Sequence, residues 1–566
     1  MLVKVLARLC VCLMIWSGLA SLAQPLSAIT PIIFAQQPRD IAFVNVNVVP
    51  MDRERVLLDQ TVIIKDGRIA EIGPSAKVKV PKEALTVDGK SKLYLMPGLA
   101  DMHTHLRYES DLALYVASGV TTVRNMRGTP RHLEWRGKVE KGELLGPRIY
   151  TTGPILSGPR SGFQEINTKE EAIKAVTEQK KAGYDAIKVY DQLPREAYDG
   201  VIAAAKQEGL PVFGHAPSAV GIEGVLKAGQ ASIEHAEQYV YHFYGDEYND
   251  FEAKKIPEIE KKVPEIAKAT REAGTWVCPT LGTIENFILQ VDDLEKLLAR
   301  PELKYTHPET LAWWRTQQKD SSEINKVIDR FQASLVRAFR DAGVRMLAGT
   351  DMYAIGFVPG FSLHRELQSL VKAGLTPYQA LETATRNPGE LMKGNFGTVS
   401  VGQAADLILV DGNPLKDVSN VAQLKGVMVR GRWLPETELH QMLGKIETSF
   451  AKGQQFISLI LARDMKAVTQ LFHEVQKNGG EIFQAQRYVF DSLGHKLLRE
   501  KSVREAIELF KLNIEANPQS ASVHNSLAEA LLAQGNKEAA IKCYEKSLEL
   551  NPNDAAVKAK LDKLRQ

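Results

Sequence analysis

The sequence predicts an α/β chain: a (β/α)8 TIM-like barrel, a small β-sandwich domain formed by both of its flanks, and a C-terminal all-α module. Three observations predict it. Eight short apolar runs alternate with helical stretches between residues 94 and 387. Segments of β character with Asp-Gly turns lie on both sides of that block. Beyond residue 435 the pattern turns helical and repeats with a period of 34, as from Ser492 to Ser526. At 566 residues the chain exceeds one ordinary domain. Its 44% hydrophobic and 25% charged residues are typical of globular proteins, and a net charge of +3 leaves no nucleic-acid footprint. Four cysteines are too few for a disulfide framework.

Taken in order, residues 1–23 read as a signal peptide. Lys4 and Arg8 precede the apolar run Leu9 to Ala23, and Ser21 and Ala23 supply small residues before Gln24. The expected destination is periplasmic or extracellular, with no stable membrane span once the signal is cleaved. The alternative is an uncleaved anchor, for which the apolar stretch is barely long enough.

Residues 38–93 and 388–435 are expected to make the β domain. Ile41 to Val49 alternates, Thr61 to Ile72 is a strand pair about Asp66-Gly67, and Asp88-Gly89 repeats that device. Matching strands return at Ala405–Val410 and Gly426–Trp433.

The barrel is expected over residues 94–387. Its candidate strands are Leu95–His105, Thr121–Asn125, Arg148–Thr152, Ala186–Tyr190, Val212–His215, Ser232–His235, Trp276–Thr280 and Arg345–Asp351. Longer helical insertions follow strand six (Tyr239 to Arg271) and strand seven (Glu285 to Lys326). In such barrels the active site lies at the C-terminal ends of the strands.

Chemistry-bearing residues occupy those ends. His103 and His105 are two apart, so in an extended strand their imidazoles point to one side, which suits a metal ion. Lys188, His215, His235 and Asp351 stand at or near the ends of strands four, five, six and eight. Each has a bland reading alone: a hydrogen-bonded core histidine, a lysine reaching solvent along its strand, an aspartate capping a helix. All the bland readings would have to hold at once, at five strand ends.

In this order and context, these residues and the split β domain resemble the metal-dependent amidohydrolase superfamily, in its imidazolonepropionase-like and prolidase-like branch. The resemblance runs from Ile41 to Leu434 and includes Ala373 to Asn387 and Gly402 to Leu407. It implies two divalent metal ions, with zinc expected, and an N6-carboxylated Lys188 bridging them. One ion would be held by His103, His105, the lysine carbamate and Asp351, the other by the carbamate, His215 and His235. A bridging hydroxide would attack a substrate carbonyl, and Asp351 would pass its proton to the leaving amine. His364 matches a family position behind strand eight, where an indirect supporting role and a helix-surface role are equally open.

The chain departs from that branch in three places. The loop after strand three reads Ser157 to Gly162, where relatives often carry a histidine that polarises the carbonyl. Ala216-Pro217-Ser218 lacks a tyrosine, and Asn125 replaces a commoner aspartate. Arg160, Tyr190, Tyr239 and Tyr241 are the candidate substitutes.

Residues 436–482 are expected to be a helical linker. Residues 483–566 resemble tetratricopeptide repeats, with Asn517-Pro518 and Asn551-Pro552 closing two units. Such stacks bind segments of other proteins or copies of themselves. Two classes of function compete: a binuclear hydrolase of carbon–nitrogen bonds in amides or dipeptides, and a non-catalytic scaffold acting through the repeats. Among enzymes the runner-up is a one-metal deaminase or cyclic-amide hydrolase.

Overall fold

The computed structural model describes residues 40–160, 162–244, 259–316, 322–477 and 487–565. The signal peptide read at residues 1–23 lies outside the described residues. Among the described residues no helix is long and apolar enough to cross a membrane.

The described chain divides into two compact units. In the first, both flanks enter one eight-stranded sheet. Tyr94–Pro97 links the halves, pairing in parallel with Ile41–Val48 and antiparallel with Leu407–Val410. The Asp66-Gly67 hairpin forms as predicted, both residues having positive φ (49° and 70°). Asp88-Gly89 makes no hairpin, because Leu85–Asp88 runs parallel to Ile41–Val44. Gly89 is there for close approach: a Cβ would meet Val46 Cγ1 at 2.5 Å and the Asn45 carbonyl at 2.7 Å.

The strand expected from Leu95 to His105 is two elements. Pro97 ends the flank strand, and Leu99–Thr104 begins the barrel. Strands one to three (Leu99–Thr104, Val120–Asn125, Arg148–Thr151) form one parallel ladder. Strands four to seven (Ile187–Val189, Val212–Gly214, Ser232–Glu234, Trp276–Cys278) form another. Single parallel bridges complete the ring. Thr152–Ala186 joins three to four; Val277–Met346 and Thr104–Met352 seat residues 345–352 as an irregular eighth strand between seven and one. Strands one, two and four to seven are buried throughout, as parallel strands covered by helices must be, and strand three is buried at alternate residues.

The second unit holds the helices Met465–Lys477, Arg487–Arg499, Val503–Ala516, Ala521–Ala533, Lys537–Leu550 and Ala555–Arg565. Val503 and Lys537 begin equivalent helices at the 34-residue period, and Ala506 and Ala540 are both fully buried. Two expectations change here. The stretch read as a linker contributes Phe456, Ile460, Val468 and Phe472 to the same core as the repeats. Residues 301–316, part of the insertion after strand seven, also belong to this unit, with Ala312 in its core. The repeats therefore do not close their core with C-terminal residues alone.

Candidate metal centre and active site

The ligand candidates arrive at one end of the barrel because each lies at or just past the end of its strand. His215 follows Gly214, His235 follows Glu234, and Asp351 ends the eighth segment. His235 and Asp351 both adopt left-handed backbone (φ 71° and 54°). That conformation costs β-carbon-bearing residues energy and persists only where the surroundings impose it.

The residues converge. Ring centroids of His103 lie 5.3 Å from His105 and 4.6 Å from His235, and those of His215 and His235 are 4.8 Å apart. Asp351 Oδ1 sits 3.1 Å from His105 Nε2 and 3.5 Å from His103 Nε2. The Lys188 side chain is 1% exposed, and its charge acts on His103, His215 and His235. Burial first, with a smaller contribution from the Lys188 charge, holds all four histidines below their ordinary range against the pull of nearby carboxylates. They are neutral, the form that ligates metals.

Each of three histidines is oriented through Nδ1. His103 donates to Glu234 Oε2 at 2.8 Å and His215 to Asp191 Oδ1 at 2.6 Å, while His235 Nδ1 is hydrogen-bonded to the Thr280 hydroxyl at 2.7 Å. The carboxylates leave the Nε2 atoms of His103 and His215 as the free bases, and the hydroxyl orients the His235 ring. The His103 Nε2, His105 Nδ1 and Lys188 Nζ atoms are buried without a hydrogen-bond partner.

Residues 94–434, more than half of the chain, match the Amidohydrolase family, and residues 521–554 match the tetratricopeptide repeat. The chain belongs to the amidohydrolase family. It is 25% identical over 452 residues to ochratoxinase from Aspergillus niger, an alignment covering 67% of this chain and 82% of that one. Its fold is similar to that of bottromycin amidohydrolase (TM-score 0.58, 24% identity, 73% of this chain and 91% of that one). A Xaa-Pro dipeptidase with bound methionine in its active site is similar too (TM-score 0.53, 21% identity, 70% and 100%).

The donor set of this amidohydrolase fits divalent metal ions. His103, His105 and Asp351 offer ligand atoms within 4.8 Å of one another, and the orphaned buried nitrogens are what a ligand set lacking its ions would leave. Burial pushes the Asp351 carboxyl up, but the His105 hydrogen bond and the charges of His235, His103 and His105 outweigh it and hold it well below the carboxylate range. Burial pushes Lys188 down to about 8, against the pull of Glu234 and Asp351.

Other expected residues are placed apart. His364 Nε2 donates to the Ser118 carbonyl at 2.8 Å, on the N-terminal side of strand two, away from the ligand-bearing ends. Tyr239 cannot polarise a substrate carbonyl: it is fully buried, packs on Phe339 and bonds Thr270 at 3.2 Å. The Tyr241 side chain lies outside the described residues. Asn125 ties loops together, accepting from Leu106 N and donating to Thr151 Oγ1. Tyr190 stacks at 4.0 Å on His215, and Arg160 lies over the Tyr190 ring at 4.9 Å.

Sequence reasoning missed Asp191, Thr280, Glu234 and Arg124. The last two carry a signal that could have found them, as opposite charges inside strands otherwise built for burial. Arg124 Nη2 meets both Glu234 oxygens at 2.8 Å, its Nη1 donates to Ser232 Oγ, and its guanidinium stacks on Phe213 at 4.5 Å. Arg124→Met leaves the Glu234 charge buried and unpaired, which costs about 3–5 kcal/mol. Denaturant unfolding should show that loss, and Arg124→Met/Glu234→Gln should recover part of it. An unchanged midpoint in the single variant overturns the pairing.

Proposed function

We propose that this amidohydrolase is a binuclear, metal-dependent hydrolase of carbon–nitrogen bonds in amides or dipeptide-like substrates, Xaa-Pro ones included. The observation that carries the reading is the ring of neutral histidines with committed Nδ1 atoms around a buried, unpartnered Lys188 and an ionised Asp351. A scaffold needs none of that arrangement, and an unmodified ammonium there has no hydrogen-bond partner and draws only on the charges of Glu234, Asp351 and Asp191 against its burial.

His103, His105 and Asp351 would hold one ion, and His215 and His235 the other. The neutral Lys188 amine would attack CO2, losing a proton, to give a carbamate whose two oxygens serve both. Zinc suits the nitrogen-rich set. When bound, the ions supply an acidified water as nucleophile and an electrophilic partner for the carbonyl. The chain's own contribution follows from its placement. Glu234, Asp191 and Thr280 keep three Nε2 atoms aimed inward, and Asp351, ionised beside them, takes a proton from the nucleophile and returns it to the leaving amine nitrogen. The C-terminal repeats are proposed to bind a protein segment or a second copy, and the chain to be exported.

Elemental analysis of purified full-length protein, with a screen of N-acyl amino acids, dipeptides and their amides, tests the reading. The expected result is about two ions per chain and hydrolysis that chelation abolishes and zinc restores. About one ion per chain, with ring-opening or deamination activity, would favour the runner-up chemistry. Metal-free protein with no turnover would favour the scaffold.

A further inference from the structure

Two arginines at the ligand-bearing end of the barrel have no role in the chemistry above. Arg127 follows the end of strand two by two residues, and Arg160 lies in the loop after strand three, between Leu156–Ser157 and Gln164–Glu165. Both are half-buried. Arg127 lies 5.2 Å and Arg160 5.4 Å from the centre of one ring, that of Phe163. Arg160 also lies 4.9 Å from the Tyr190 ring, which meets Phe163 edge-to-face at 5.0 Å and packs on His215 at 4.0 Å. A chain of ring contacts thus leads from a candidate ligand histidine to two guanidinium groups.

Among the described residues, no carboxylate forms an ion pair within 4.0 Å of either arginine. Arg127 donates to the Gly162 carbonyl at 2.7 Å, a neutral acceptor. Of the nearby carboxylates, Asp351 accepts from His105, and Asp191 accepts from His215 while also feeling the charge of Arg160, with which it forms no ion pair. A third cation adds to the set: the Arg107 guanidinium lies over the Tyr353 ring at 4.6 Å, close enough that its charge, after burial, lowers the pKa of Arg127. Like charges gathered in a half-buried wall repel, and an anion entering between them removes that cost. Stacking occupies the face of a guanidinium and leaves its N–H edge for an acceptor, and that edge matches the two oxygens of a carboxylate.

We propose that Arg127 and Arg160, set by Phe163 and Tyr190 beside the ligand histidines, form a receptor for the free carboxylate of an N-acyl amino acid. The inference rests on the hydrolase reading for the role of that substrate, though not for the binding itself. The receptor makes the chain select amides whose leaving amine carries an α-carboxylate and reject those in which it is masked.

The test pairs N-acetyl-L-amino acids with their carboxamides. Binding is measured by calorimetry on the zinc-loaded, full-length Asp351→Asn chain, and turnover on the wild type. The expected result is binding about 30-fold tighter for the acids, the size of one or two charge-assisted hydrogen bonds. Arg127→Met and Arg160→Met should bring that preference to near parity while the thermal midpoint stays put. Arg127→Lys, which keeps the charge without the fork, should retain only part of it. Equal affinity for acid and carboxamide, or no measurable binding of either, overturns the receptor. So does an acid preference that survives both arginine substitutions, since the metal ions would then hold the carboxylate. Arginine-dependent acid binding with no hydrolysis of any pair leaves the receptor standing and overturns the hydrolase reading. Equally fast hydrolysis of acids and carboxamides does the reverse.

Discussion

Lys188→Ala should lower turnover by at least about a thousandfold, the several kcal/mol that metal assistance contributes, and leave about one ion per chain or fewer. The reason lies in what surrounds the side chain. Its Nζ is buried with no hydrogen-bond partner, and Glu234, the carboxylate with the largest influence on it, already accepts from Arg124 and His103. A free ammonium there is a desolvated charge. A carbamate exchanges that cation for an anion between two cations. Removing the side chain removes the bridge, and bicarbonate with short carboxylic acids should partly restore activity by supplying its oxygens. Carbon-13 NMR after labelling with bicarbonate reads the modification directly, as a carbamate carbon absent from the variant. Lys188→Met separates this from a merely structural lysine. If Lys188 is unmodified, methionine fills the site without the desolvation penalty, so stability rises and the metals stay. That outcome overturns the bridging role.

The second large effect is expected at Asp351. Asp351→Asn should keep most of the metal and lose turnover by at least about a hundredfold, as the loss of a general acid–base group does. Its carboxylate is held low by the His105 hydrogen bond and by the charges of His235, His103 and His105 despite burial, so it is a base at neutral pH. Asparagine keeps an oxygen for the ligand role but cannot take up a proton. Single-turnover kinetics on the metal-loaded variant, with metal content measured on the same sample, separate the two roles. Near-normal turnover at full metal content would remove Asp351 from proton transfer. Equal losses of metal and activity would make it a ligand only.

Much of this site is legible in the sequence. The His-Thr-His spacing, and a lysine, two histidines and an aspartate each ending an apolar run, identify the barrel and its working end, because strand parity and strand ends are local properties. The orienting partners are of another kind. Asp191, Glu234 and Thr280 reach His215, His103 and His235 across 24, 131 and 45 residues of chain. Nothing local marks a threonine at position 280 as the group that orients a histidine ring. At His364 the sequence leaves an indirect supporting role and a helix-surface role equally open, and packing buries the side chain against the Ser118 carbonyl.

Local pattern along the chain accounts for the order of elements, the β character of both flanks, the 34-residue period and the residues that end the barrel strands. All of these follow from side-chain periodicity and from Gly and Pro geometry, which act over a few neighbouring residues. Long-range packing accounts for the rest. It makes strand eight an irregular segment held by single bridges, and it brings residues 301–316 into the core of the repeats. It also sets Arg127 and Arg160 over one phenylalanine ring. These outcomes depend on which distant surfaces meet, and burial of apolar area is indifferent to sequence separation.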